Sequence, residues 1–170
     1  MAKWTNADGL EVWLGTTEAE VTVAGELPAE GDFRQWELDL DLTALADASA
    51  LVPRTRSTII PKGTFITKVI VINQVAATGT NATLNLGLIR QNKSTTYDVD
   101  GLLVAAPRTD WDSAGETKEY VIGVTGVGAL VGTTLANSGY LVADYETAAF
   151  SAGKVRIIIE GYVVRPAVTN

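Results

Sequence analysis

Neither cysteine nor histidine occurs anywhere in the 170 residues of this chain. The first absence removes disulfides, thiolate nucleophiles and cysteine-ligated zinc together, so packing and hydrogen bonds must hold the fold. The second removes the side chain most used as a general base near neutral pH, which is also the commonest transition-metal ligand. Positive charge is scarce too. Thirteen Lys and Arg against 20 Asp and Glu leave a net charge of −7 and a pI near 4.5. A phosphate backbone repels such a surface unless the cations cluster, and they gather no more closely than in pairs such as Arg54 and Arg56. Direct nucleic-acid binding is therefore not expected. No apolar run reaches the roughly 20 residues of a membrane span, so no membrane partner is expected. Residues 1–8 lack the apolar stretch of a signal peptide, which implies a protein made in the cytoplasm.

What is present is apolar and β-branched. Hydrophobic residues make up 46% of the chain and charged residues 19%, the balance of a folded domain rather than a disordered chain. Residues 34–42 alternate strictly, with Trp36, Leu38, Leu40 and Leu42 on one face and Gln35, Glu37, Asp39 and Asp41 on the other. That period of two predicts a half-buried strand with an acidic outer face. Residues 18–24 alternate as well and read as a strand. Pro61, Lys62 and Gly63 make a turn, and residues 65–75 form a β-branched strand expected to be covered on both faces. Leu84, Leu86 and Leu88 repeat at period two, and a turn over residues 76–81 predicts a hairpin between these two strands. Residues 117–124, 139–145 and 154–164 read as further strands.

Residues 97–107 read as a short helix, capped by Asp98 or Asp100 and ending before Pro107. The Ala-rich residues 43–51 allow one helical turn or two. Seven or eight short strands between Gly, Pro and Asn turns fit an all-β sandwich of jelly-roll type with one short helix. Residues 1–15 stand apart as an N-terminal arm carrying Trp4, Leu10 and Trp13, leaving residues 16–170 as a single β-sandwich domain.

Chemistry-bearing patterns are thin. The glycines between Gly123 and Gly132 lack both the P-loop ending and the dinucleotide spacing, so turns explain them better than a phosphate cradle. Asp98, Asp100 and Gly101 resemble the start of a calcium loop, yet the twelfth position is Thr109 where a bidentate Glu is required. Asp110 and Asp112 flank Trp111 in a loop that reads as ordinary exposed acid. Asp39 and Asp41 share a strand face about 6.5–7 Å apart. A carboxylate pair for glycoside hydrolysis drawn from Asp39, Asp41, Glu116 or Glu119 is less favoured than a solvated strand face. No catalytic residue, metal or cofactor is expected. Among the aromatics Trp36, Trp111, Tyr140 and Tyr145, Trp36 falls in the core phase, and Trp111 is the one tryptophan placed at the surface. A row of such rings would suit a carbohydrate-binding module, which stays open as an alternative.

Three stretches carry a family resemblance. They are Trp4 to Leu10 with the apolar run that follows; Leu84 to Ile89 with Tyr97 to Leu102; and Ala129 to Thr133, continuing through Gly139 to Phe150 into the last strand. On these compositional phrases the chain resembles the capsid decoration, or cement, proteins of tailed bacteriophages. The resemblance implies a non-enzymatic virion protein, commonly a homotrimer, bound to the capsid exterior and locking neighbouring major-capsid subunits. It implies no catalytic residues. Trp4, Leu10 and Trp13 of the arm, with Arg54 and Arg56, are the expected contacts to the capsid or to sister subunits, because aromatic and Arg side chains are the usual interface anchors. Another virion component, from the tail or a fibre, shares the same composition.

Overall fold

Strict alternation becomes paired strands wherever an apolar face finds a partner, and the computed structural model shows which partners those are. It describes residues 2–5, 11–14, 33–47, 59–92 and 96–163. The chain forms two compact units, Met1–Glu30 and Gly31–Asn170. In the first, β1 (Ala2–Thr5) and β2 (Glu11–Leu14) pair antiparallel, with Trp4 opposite Val12 and Lys3 opposite Trp13.

Among its described residues the second unit holds eight strands: β3 (Phe33–Asp41), β4 (Ile59–Ile60), β5 (Thr64–Thr78), β6 (Thr83–Arg90), β7 (Thr96–Pro107), β8 (Thr117–Tyr120), β9 (Gly139–Tyr145) and β10 (Ala152–Val163). They build two antiparallel four-stranded sheets in the orders β3-β10-β5-β8 and β4-β9-β6-β7. This is the strand order of a jelly roll, in which the chain repeatedly crosses between two facing sheets. The expected all-β sandwich is thus what the chain forms.

The core lies between the sheets. Leu38 and Leu40 of β3, Val69 and Val71 of β5, and Val155, Ile157 and Ile159 of β10 face Leu84, Leu86 and Leu88 of β6 and Leu141 of β9. Each fully buried aliphatic side chain contributes about 1.5–3 kcal/mol of transfer free energy. Trp36 packs against this cluster from the edge, as its phase with Leu38 predicted.

Three expectations need correction. Residues 97–107 are not a helix but most of β7, paired to β6. Leu102, Leu103 and Ala106 suit a helical face, yet sheet pairing overrides such weak local preference. Between Leu86↔Leu103 and Leu88↔Asp98 the register slips, and the extra β7 residues arch over Gly87. A Cβ on Gly87 would collide with the Asp98 carbonyl oxygen and the Val99 backbone, so the arch requires glycine there.

The predicted hairpin of β5 and β6 does not form either. The turn over residues 79–82 carries the chain from one sheet to the other, and β6 pairs instead with β7 and β9. Gly79 (φ 144°) and Asn81 (φ 54°) supply the positive φ that this crossing needs. Nor is β5 covered on both faces: Ile66, Val69 and Val71 are buried, whereas Ile70 and Ile72 are only half-buried on the outside. Elsewhere, the described part of the Ala-rich stretch after β3 holds a 3₁₀ turn, Leu42–Ala44, capped by Asp41.

The glycine-rich stretch turns as expected but also ties the sheets together. Val104 N–H donates to the Gly126 carbonyl (2.9 Å) and Leu130 N–H to the Gly101 carbonyl (2.7 Å), which covers the β7 edge. Gly132 N–H then donates to the Ile66 carbonyl (2.7 Å) and Leu135 N–H to the Thr64 carbonyl (2.8 Å), reaching β5 of the other sheet. A Cβ on Gly128 would overlap the Asp100 and Gly101 backbone, so this strap seats only with glycine.

Candidate interaction surfaces

The residues expected to make contacts fall unevenly. Trp4 and Trp13 lie on paired strands, one register step apart in the hairpin of the first unit. Leu10, Arg54 and Arg56 lie outside the described residues, as does the predicted strand over residues 18–24.

Strand alternation makes the outer face of β3-β10-β5-β8 a ladder of opposite charges. Asp39 stands opposite Arg156, which donates to it twice, from Nε at 2.9 Å and from Nη2 at 3.1 Å. That hydrogen bonding holds the Asp39 carboxyl below its usual range. Lys154 reaches Asp41 at 3.7 Å, and Lys68 reaches Glu119 at 3.2 Å and Glu160 at 3.5 Å. Half-buried Ile70, Ile72 and Ile158 lie among these pairs. At one end Phe33 and Tyr162 meet edge to face, 5.4 Å between ring centroids, each 45% exposed. Asp39 and Asp41, weighed above as a hydrolytic pair, are therefore members of this exposed ladder.

Trp111 corrects another expectation, because it is buried rather than at the surface. Its ring stacks on Phe150 at 6.1 Å, and its Nε1–H donates to Tyr120 Oη at 2.9 Å. Tyr120 in turn donates to Asp110 Oδ2 at 3.0 Å. Burial raises the Tyr120 phenol well above its ordinary pKa, so it stays a donor throughout the physiological range. Asn73, in phase with Val69 and Val71, pins the loop by donating from Nδ2 to the Trp111 carbonyl (2.6 Å) and the Ser113 carbonyl (2.7 Å). The loop acids are engaged too: Asp110 pairs with Lys118 at 3.7 Å and Asp112 with Arg108 at 4.0 Å.

Two features went unread in the sequence. On the outer face of β4-β9-β6-β7, Asn85 Nδ2 donates to Asp144 Oδ1 at 2.9 Å, and Ala105 N–H donates to Asn85 Oδ1 at 2.7 Å. Asp144 is buried and its Oδ2 has no hydrogen-bond partner among the described residues. Burial pushes this carboxyl up, Asn85 opposes the shift, and Asp100, Glu146 and Asp47 add to it. The hint was polar: Asn85 and Asp144 each interrupt an apolar strand.

The second feature is a cleft of about 460 Å³ between β7 and the strap, lined by Asp98, Asp100, Val104, Ile122, Val127 and Val131 among others. Burial pushes the Asp98 carboxyl up, and the adjoining Asp100 carboxyl adds to that. Neither acid caps a helix, since both lie on a strand. Among the described residues no group of three His, Cys, Asp or Glu side chains is placed to hold a metal.

No protein-family model matches the chain, and no curated protein does. Solved structures do. A chain in the capsid asymmetric unit of cyanophage Pam1 is 15% identical, with a TM-score of 0.51 over 89% of this chain and 100% of that one. A chain from the capsid of Ralstonia phage GP4 is 18% identical, with a TM-score of 0.49 over 81% of this chain and 87% of that one. The cyanophage likeness is one of fold.

Proposed function

We propose that this chain is a non-enzymatic virion protein that binds the outer surface of a phage capsid and cements neighbouring major-capsid subunits. The observation that carries the reading is the jelly roll itself, whose fold extends over the full length of a chain in a cyanophage capsid. Three further points support it. The sheet face built from β3, β10, β5 and β8 is a solvated ladder rather than a cleft with opposed carboxylates. The −7 charge suits an outer shell surface better than a lumen lined with DNA. A capsid under internal pressure is stabilised by anything that binds only the closed lattice, so a clamp needs buried area and no chemistry.

Residues 1–15 act in this reading as an arm, and Trp4, Leu10, Trp13, Arg54 and Arg56 meet the shell or sister subunits, most simply in a homotrimer. Deleting residues 1–15 is expected to abolish co-sedimentation with expanded, empty capsids while circular dichroism still reports an intact β fold. Full binding by the truncated protein would refute the arm's role, and no binding by the intact chain would refute the clamp. The carbohydrate-binding alternative loses its main residue, because buried Trp111 offers no ring to a sugar.

A further inference from the structure

The cleft beside β7 combines an aliphatic wall with a pair of acids. Its wall is aliphatic: Val104, Val127 and Val131 line it, and Ile122 stands at its rim 70% exposed. Side chains of that kind so open to water are stabilised by whatever covers them. Gly132 shapes the rim, for a Cβ there would collide with the Ile122 side chain. Its other pole is negative. Asp98 and Asp100, two apart on β7, crowd their carboxyls together, and no Lys or Arg lies among the described lining residues. By contrast, the acids Asp39, Asp41, Asp110, Asp112, Glu119 and Glu160 already have a cationic partner.

We propose that this cleft is a docking site for an apolar segment of a different protein that carries one Lys or Arg. The cation would sit between Asp98 and Asp100, and its flanking aliphatic side chains would cover Ile122 and Val104. Charge complementarity selects this occupant. A bare metal ion would lack a third ligand, since the aliphatic wall offers none. A second copy has less to offer the acidic pole, because five of its eight described Lys and Arg side chains, Lys68, Arg108, Lys118, Lys154 and Arg156, are already ion-paired. The site uses none of the residues assigned to the arm, and its test requires no capsid.

The test is methyl NMR of the full chain titrated with the peptide amide Ac-Leu-Arg-Leu-NH2, and with the same peptide carrying neutral citrulline for Arg. Saturable shifts at Ile122, Val104, Val127 and Val131 in the millimolar range are expected, with citrulline binding at least about tenfold weaker. The double variant D98N/D100N should lose the preference for Arg, and Ile122→Ser should weaken both peptides, with no loss of thermal stability in either. Ile122 and Gly132 need no substitution for the peptide comparison, so it stands even if a variant folds poorly. Shifts confined to the β3-β10-β5-β8 face, equal affinity for both peptides, or no shift at millimolar peptide would each overturn the proposal. None of these outcomes bears on capsid binding, which co-sedimentation reads separately.

Discussion

On the outer face of β3-β10-β5-β8, charges stand in water and pair across strands, Asp39 with Arg156 and Asp41 with Lys154. On the outer face of β4-β9-β6-β7, Asn85, Ile89, Val142 and Asp144 are buried, and Oδ2 of Asp144 has no hydrogen-bond partner among the described residues. Both sheets alternate inward and outward, yet their outer faces obey different energetics. An exposed ion pair gains little because water screens it and the side chains lose entropy. A buried polar group costs a great deal unless every atom is satisfied. The second sheet is consequently the constrained one, and the first is free to present whatever chemistry a neighbour requires.

The sharpest break in that comparison is Gly87→Ala. The added methyl meets the Asp98 and Val99 backbone, which has no flexible end to move, so a loss of about 3 kcal/mol is expected. Urea denaturation reads it directly; a midpoint equal to that of the wild type would show that the β7 arch is looser than its geometry.

Asp144→Asn should act with pH, and in the stabilising direction. The Asp144 carboxyl titrates above its ordinary 3.8 because of burial, with Asp100 of β7, Glu146 beyond β9 and Asp47 adding to the shift against the Asn85 hydrogen bond. Its contribution is therefore fully present below that unfolded value and is lost as pH rises through the folded one. The variant should gain on the wild type in urea midpoint as pH is raised from about 4 to 7. A constant offset across that range would mean the carboxyl is not held neutral.

The smallest effect belongs to the exposed ladder. Arg156→Gln should barely move the unfolding midpoint, while the Asp39 carboxyl, read by NMR titration, returns upward toward its ordinary value. A destabilisation as large as that of Gly87→Ala would erase the contrast between the two faces.

Much of the architecture was legible because alternation is a local property. The phase of Trp36, Leu38 and Leu40 identified the core face of β3, and Leu84, Leu86 and Leu88 did the same for β6. Residues 139–145 coincide with β9. Where local preference was equivocal, the reading failed. Asp98 to Pro107 suits a helix by composition, but β6 supplies a partner that isolated propensity ignores. Trp111 sits between two aspartates and so looks exposed, yet Asn73, 38 residues earlier, draws its loop inward. Of the candidate contacts, only Trp4 and Trp13 fall within described strands, and no pattern in the sequence pointed to the cleft beside β7.

By itself the sequence determined the class of the protein: an acidic β-sandwich without histidine or cysteine, whose strands carry their own inward and outward phase. Which strands became neighbours was decided only in three dimensions, since the order β3-β10-β5-β8 brings together residues more than a hundred positions apart. The same holds for the pairing of Asn85 with Asp144 and for the acidic-aliphatic cleft. The physical reason is that periodicity fixes which face of a strand is apolar, whereas the choice of partner is set by how all the faces can be buried at once.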